Sequence, residues 1–221
     1  MKVLLATPAY GGQVYSKYTE SLVYTCFMLK MMNIDFEIKF INNQIVTRAR
    51  NMCSYVFLEN TSFTHMLFID ADVVWNPEDV KKLLDHDKEC VIGIYPNKQY
   101  YWKDNNIILN PSCQMCDVDN SKDIFSNLKK VKYAATGFML LKRSALERIK
   151  NSVETFSLPG SDGCKCTLYN FFDCNIVDND YLTEDYYFSY LFNKNGGEIF
   201  ADTSIKLTHM GTHEYGSLIK Q

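Results

Sequence analysis

The run His65-Met66-Leu67-Phe68-Ile69-Asp70-Ala71-Asp72 constrains this chain more than any other stretch. An apolar strand delivers two carboxylates, in Asp-x-Asp spacing, to its carboxyl end. In an open α/β sheet that end is where ligands bind. Asp70 and Asp72 alternate along extended chain and so point to one side. Two hard oxygen ligands on one side can hold Mg²⁺ or Mn²⁺, ions commonly shared with substrate phosphates. Taken alone, the same residues also describe a strand followed by an acidic turn, so the rest of the chain has to decide.

The flanking pattern is strand-helix alternation. Lys2 to Thr7 reads as a buried strand, and Pro8-Ala9-Tyr10-Gly11-Gly12 as a loop that permits close backbone approach. Ser16 to Met32 and Gln44 to Leu58 carry apolar residues at helical intervals, with Phe36 to Ile41 as a strand between them. Asn76-Pro77-Glu78-Asp79 has the form of an N-cap with proline in the first turn, opening a helix to Asp85, and Glu89 to Ile94 is a further strand. Beyond Tyr95 the pattern weakens. A β excursion near Ile107 to Leu109, strands at Val131 to Ala135 and Phe138 to Leu141, and a helix from Ser144 are expected. Asn151 to Asp180 reads as loop, Glu184 to Phe192 as a helix closed by Gly196-Gly197, and Glu198 to Ala201 and Ile205 to Thr208 as final strands. The alternation predicts an α/β chain with a doubly wound, mostly parallel sheet and right-handed crossovers. A single domain over residues 1–221 is expected, with a nucleotide-type half to about 95 and a more irregular half from about 96.

Bulk properties exclude several classes. At 221 residues, 47% hydrophobic and 22% charged, the chain has the composition of a globular protein. A net charge of −3 without a basic block gives no electrostatic support for binding a nucleic-acid backbone. The apolar run at the start ends at Pro8, too short for a signal sequence, and no stretch approaches the ~18 apolar residues that span a bilayer. A cytoplasmic protein without a membrane span is expected. Among the eight cysteines, Cys26, Cys53 and Cys90 sit in apolar segments and read as buried thiols. Cys113, Cys116, Cys164, Cys166 and Cys174 admit a zinc clip, disulfides or free thiols, with free thiols as the default.

Further segments join the acidic pair. Thr7-Pro8-Ala9-Tyr10 follows the first strand, where such a loop wraps a base and ribose and Tyr10 is available to stack. Thr47-Arg48-Ala49-Arg50-Asn51 lies on a helix, with Arg50 and Asn51 on the expected ligand side and the arginine fork suited to phosphate. Ala134-Ala135-Thr136-Gly137-Phe138 lets a bulky ligand lie against backbone, or marks a β-bend. Tyr181-Leu182-Thr183-Glu184-Asp185 places Thr183 to cap a helix. Glu184 and Asp185 then either complement the helix dipole or supply a general base. His209, near the end of the last strand, is either a structural histidine or a third metal ligand.

Together these segments resemble the GT-A glycosyltransferases, the nucleotide-sugar-dependent enzymes with one Rossmann-like domain. The resemblance runs from the first strand to His209. It is carried by the Asp-x-Asp, the glycine turn, Tyr-Leu-Thr-Glu-Asp-Tyr-Tyr-Phe, Gly-Gly-Glu-Ile-Phe-Ala-Asp and a closing His-x-Gly, in that order. The compact form is similar to small GT-A enzymes of bacteria and of large DNA viruses infecting algae, and a viral protein of this kind would act in the host cytoplasm.

The resemblance implies a sugar transferred from a nucleoside diphosphate, uridine diphosphate by family habit, to a glycan or glycoprotein hydroxyl, with Mn²⁺ preferred and Mg²⁺ as substitute. It implies a nucleotide cradle of Thr7, Pro8, Ala9 and Tyr10 with Arg50, Asn51, Asp70 and Ala71. Asp70, Asp72 and His209 would hold the metal. Thr136, Gly137 and Phe138 would lie beside donor sugar and acceptor, and Asp185, with Glu184, would act as base in an inverting reaction.

Three rival readings are weaker. Asp70-Ala71-Asp72-Val73-Val74 fits the haloacid-dehalogenase phosphatases, with Asp70 as nucleophile. That motif normally ends the first strand, however, and no Gly-Asp-x-x-x-Asp segment completes it here. A nucleotidyltransferase would need a basic, glycine-rich loop after the first strand, and Ala9-Tyr10-Gly11-Gly12 has no basic residue. A non-catalytic nucleotide-sugar-binding module would have no need of the acidic and histidine positions, all of which are present.

Overall fold

Side-chain alternation along the first and third strands sets the layers. Val3, Leu5, Leu67 and Ile69 pack into one apolar cluster, while Leu4, Ala6, Met66 and Phe68 pack into another. Because neighbouring residues of a strand face opposite ways, a strand apolar at every position is buried on both faces and needs helices above and below.

The computed structural model describes residues 1–103, 106–116, 127–159, 164–211 and 214–215. In chain order the elements are β1 (Lys2–Pro8), α1 (Ser16–Met31), β2 (Asp35–Ile41), α2 (Val46–Glu59), β3 (His65–Ile69), β4 (Val73–Val74), α3 (Pro77–Asp85) and β5 (Cys90–Gly93). There follow β6 (Pro96–Lys103), β7 (Asn106–Pro111), β8 (Cys113–Met115), β9 (Leu128–Ala134), β10 (Phe138–Lys142) and α4 (Arg143–Ile149). The remainder comprises β11 (Thr155–Pro159), β12 (Lys165–Tyr169), β13 (Asn175–Val177), β14 (Asp180–Leu182), α5 (Glu184–Lys194), β15 (Ile199–Asp202), β16 (Thr208–Met210) and β17 (Glu214–Tyr215).

The central sheet has eight strands in the order β2-β1-β3-β10-β5-β15-β9-β8. Only β10 and β9 run against the others. Leu22 and Leu29 of α1 and Val80 and Leu83 of α3 cover one face. Cys53 and Phe57 of α2, Leu146 of α4, and Phe188 and Phe192 of α5 cover the other. This is the α/β architecture, with a mixed and mostly parallel sheet, that the resemblance implies.

Local chemistry explains the helix positions. The Asn76 side chain accepts from the Glu78 backbone N–H at 3.1 Å, and Asp79 accepts from the Asn76 N–H at 3.2 Å, a reciprocal cap that starts α3. Helix α1 buries two polar residues because both have partners. Ser21 donates to the Trp75 carbonyl at 2.8 Å, and Thr25 accepts from the Trp75 indole N–H at 2.8 Å.

Several expectations shift. Asn151 to Asp180 is not simply loop, since β11 pairs with β12 and β13 with β14 in two antiparallel hairpins. The strand expected at Ile205 to Thr208 lies instead at Thr208–Met210, and Glu214–Tyr215 pairs with it. Ile205 and Leu207 fill the core from irregular chain, which is why their apolar spacing resembles a strand. Among the described residues no helix is long and apolar enough to cross a membrane.

Candidate functional site

The carboxyl ends of β1 and β3 open onto a cavity of about 610 Å³ whose lining includes Pro8, Tyr10, Arg50, Asp70, Ala71 and Asp72. Beneath it Thr7 is buried, its hydroxyl sharing a hydrogen bond with that of Tyr18, and the Ala9 N–H donates to the Ile41 carbonyl at 2.9 Å. These bonds fix the loop backbone, while the Tyr10 side chain stands 74% exposed beside the cavity. Gly11 and Gly12 have φ of 63° and 70°, a left-handed turn that glycine adopts without strain.

Arg50 is the hinge of the site. Only 4% exposed, it donates through Nη1 and Nη2 to the two carboxylate oxygens of Asp70 at 3.0 and 3.2 Å, and through Nε to Glu184 at 3.3 Å. Burial works against its charge, yet the two carboxylates more than offset this and hold the guanidinium fully protonated. The expected ligand-binding fork is therefore already filled by two acids, and Glu184 serves as an arginine partner. Asn51 does not line the cavity. Its amide donates to Asn170 and to the Phe172 carbonyl and accepts from the Phe172 N–H, clipping the 170–172 segment onto α2.

Gly137 joins β3 to β10 at the same edge. Its carbonyl accepts from the Asp70 N–H at 3.0 Å, and its own N–H donates to the Tyr95 hydroxyl at 3.1 Å. A Cβ here would lie 2.3 Å from that hydroxyl and 2.8 Å from Asp70 Oδ2, so only glycine fits. Burial, reinforced by the Asp70 charge, pushes the Tyr95 phenol well above its usual range and keeps it neutral. Phe138 is buried against Trp75, with ring centroids 5.9 Å apart. Thr136 is buried, and its hydroxyl finds no hydrogen-bond partner among the described residues.

Asp185 lines a second cavity, of about 350 Å³, together with Asn97, Ser112, Tyr181 and Tyr186. Thr183 does not cap α5 through its side chain. Its hydroxyl donates instead to Asp185 Oδ1, which also accepts from the Tyr186 N–H at 2.8 Å. Burial first, and the Glu184 charge second, raise the Asp185 carboxyl above the ordinary carboxylate range. The Asp70–Arg50–Glu184 bridge thus connects the lining of the first cavity to the neighbour of the acid in the second.

The remaining predicted ligands meet across a short clasp. β16 pairs antiparallel with β4, placing His209 opposite Val73, and the Met210 N–H donates to the Asp72 carbonyl at 2.7 Å. His209 Nδ1 lies 3.0 Å from the Pro96 carbonyl, which can only accept, so Nδ1 carries the proton. The other nitrogen, Nε2, lies 3.5 Å from Asp72 Oδ1, where a charged ring donates to the carboxylate and a neutral ring offers its lone pair to a bound cation. A histidine oriented through its far nitrogen in this way is the arrangement that suits a metal ligand. Asp72 and His209 therefore fit a divalent cation. Asp70, the third expected ligand, is turned onto Arg50. Among the described residues no group of three or more His, Cys, Asp or Glu side chains is gathered to hold a metal.

No protein-family model matches the chain, and no curated protein matches it significantly. Among solved structures it is similar to A197 from STIV, with a TM-score of 0.57 and 20% identity over 100% of this chain and 99% of that one. The two share a fold. A structure of GalNAc-T7 with UDP, GalNAc and Mn²⁺ has a TM-score of 0.49 and 8% identity, over 96% of this chain and 44% of that one. The inositol-1-phosphate CTP transferase from T. maritima has a TM-score of 0.43 and 8% identity, over 95% and 88%. At these values the last two bear on neither residue roles nor substrate.

Sequence reasoning missed Tyr95 and Lys98. Tyr95 packs edge-on against His209, with centroids 4.9 Å apart, as well as receiving the Gly137 N–H. Lys98 Nζ donates to Asp72 Oδ2. With His209 it holds Asp72 below the usual carboxylate range although burial alone would raise it. The available signal was position, since Tyr95-Pro96-Asn97-Lys98 leaves β5 at the same carboxyl edge as Asp70. Cys26, Cys53, Cys90, Cys113, Cys116, Cys166 and Cys174 are free thiols.

Proposed function

We propose that this chain is a glycosyltransferase of the GT-A kind, moving a sugar from a nucleoside diphosphate, with uridine diphosphate as first choice, to a hydroxyl of a glycan. The observation that carries the reading is the pair of cavities on either side of the Asp70–Arg50–Glu184 bridge. One is lined by an exposed tyrosine ring and the acidic pair, and the other holds a carboxylate of raised basicity. The first has the size and chemistry for a nucleotide, with Tyr10 free to stack on the base and residues 1–95 forming the donor half. The second, with its hydroxyl, amide and phenol lining, suits a sugar hydroxyl acceptor.

In this reading Asp185 removes the proton as the acceptor oxygen attacks the anomeric carbon, from the face opposite the departing diphosphate, giving inversion. Its raised basicity favours that role, since a general base works best when its pKa approaches the operating pH. Arg50 fixes Asp70 and Glu184, so the acidic edge keeps its shape while substrates exchange. A divalent cation on Asp72 and His209, Mn²⁺ in preference to Mg²⁺, would supply neutralisation of the charge growing on the diphosphate. The phosphatase reading is disfavoured because both oxygens of its nucleophile, Asp70, accept from Arg50.

A panel of nucleotide sugars incubated with the protein, Mn²⁺ and simple glycan acceptors tests this, with turnover read as released nucleoside diphosphate. Turnover with a uridine diphosphate sugar, lost in chelator, is expected. Release of inorganic phosphate from a phosphomonoester, with no nucleotide sugar consumed, would replace the assignment with the phosphatase one.

A further inference from the structure

We propose that Lys98 is the resident cation of the acidic site, and that a divalent ion reaches Asp72 only by displacing it. The inference deepens the metal site of the reading above and rests on it for the divalent ion at Asp72 and His209.

Three observations carry it. First, the Lys98 ammonium donates to Asp72 Oδ2 while His209 Nε2 stands 3.5 Å from Oδ1 of the same carboxylate. The Asp72 carboxylate that would bind a divalent ion thus already holds a positive charge. A hard cation needs those oxygen lone pairs, and its charge repels an ammonium at the same oxygen, so the two exclude each other. Second, the Lys98 side chain is 32% exposed, which lets a long flexible stem carry its charge into solvent once the carboxylate is taken. Arg50, by contrast, is buried and bidentate on Asp70 and has no such exit. The two cations of the site therefore have different tasks: one is fixed and the other exchangeable. Third, both partners of Asp72 are set by one strand. β6 supplies Lys98 directly and orients His209 through the Pro96 carbonyl. β6 pairs with β7 in a hairpin of its own, outside the eight-stranded sheet, so Lys98 can change partner without disturbing the core.

The test measures Mn²⁺ binding without nucleotide or sugar. Electron paramagnetic resonance of free Mn²⁺, titrated with the parent protein and with Lys98→Met, should show affinity at least tenfold tighter in the variant, because no ammonium has to leave. Asp72→Asn should abolish binding in both backgrounds. On the parent protein, acylation of Lys98 read by mass spectrometry should be slow alone and rise severalfold with saturating Mn²⁺. That second readout stands even if the methionine variant folds poorly.

Equal or weaker Mn²⁺ affinity in Lys98→Met, Lys98 acylation indifferent to Mn²⁺, or no Mn²⁺ binding in either protein would each overturn the proposal. Mn²⁺ competition without any nucleotide-sugar turnover would leave it standing and fell the glycosyltransferase reading. Turnover without competition would do the reverse.

Discussion

Replacing Gly137 with alanine puts the interlock of the site to a direct test. The added Cβ would meet Tyr95 Oη at 2.3 Å, Tyr95 Cζ at 2.7 Å and Asp70 Oδ2 at 2.8 Å, where ordinary contacts begin near 3.4 Å. Relief requires the tyrosine to retreat by about an ångström, but the ring is buried and stands edge-on to His209. Overpacking of this kind costs roughly 1–3 kcal/mol. The lost bond from the Gly137 N–H to the Tyr95 hydroxyl adds about 1 kcal/mol. For a domain of this size each kcal/mol lowers Tm by about 2–4 °C, so Gly137→Ala should melt some 5–15 °C below the parent by calorimetry. Pushing Tyr95 onto His209 should also weaken Mn²⁺ binding. The closest clash is with the Tyr95 hydroxyl, so Gly137→Ala combined with Tyr95→Phe should recover part of the loss, a coupling on the order of 1 kcal/mol. A control is Gly11→Ala, where no atom lies within 4 Å of the new Cβ and only left-handed backbone strain, about 1 kcal/mol, is added. A Gly137→Ala melt within about 2 °C of the parent, or no coupling to Tyr95→Phe, would refute the interlock.

Asp185→Asn keeps the acceptor oxygen for Thr183 and Tyr186 but removes the basicity, and should lower kcat about 10²–10⁴-fold with donor affinity little changed. The parent's kcat/KM should rise with pH through an acid limb lying above the usual carboxylate range, a limb absent from the variant. The stability sign is opposite. A carboxyl whose folded pKa is raised stabilises the fold below its unfolded pKa, and that contribution is lost as pH rises through the folded value. Asp185→Asn should therefore melt above the parent at pH 7 and not at pH 3, and equal gains at both would reject the burial argument. Tyr10→Ala should leave the melt of the free protein unchanged, because the ring is exposed, and should weaken uridine diphosphate binding by about 1–3 kcal/mol if the base stacks there. Calorimetric titration giving equal affinities would remove Tyr10 from the cradle.

The elements most legible in the sequence are those whose signal is purely apolar. The run ending at Ile69 and the Asn76-Pro77 cap appear where the residues place them, because burial and capping are local rules. Arg50 shows the limit. Apolar periodicity scores an arginine as solvent-facing, yet here it is buried by two carboxylates, Asp70 and Glu184, that are distant in sequence. Lys98 had only its position after β5 to mark it, since its partner is chosen by the β6–β7 hairpin and the sequence from Tyr95 to Lys130 has little periodicity. The hairpins after Val153 escaped notice because β13 is mostly exposed and the alternation in β11, Phe156 and Leu158 between Thr155, Ser157 and Pro159, spans only five residues. Thr183 looked like a helix cap and bonds Asp185 instead, a choice between two acceptors that composition does not encode.

The clasp between β4 and β16 bears on how the protein is made. Val73 and Asp72 leave the ribosome early, whereas His209 and Met210, which pair with them, are translated near the end of the 221-residue chain. Strands β1, β2 and β3 can pair with one another as soon as they emerge, but the histidine reaches the acidic pair only after nearly everything else has been synthesised. A nascent chain halted before Thr208 could therefore carry a largely formed sheet while Asp72 still lacks His209 beside it. Under the proposed function, a divalent ion that needs both Asp72 and His209 would then have to wait for the end of synthesis, whereas the residues lining the first cavity are all in place early.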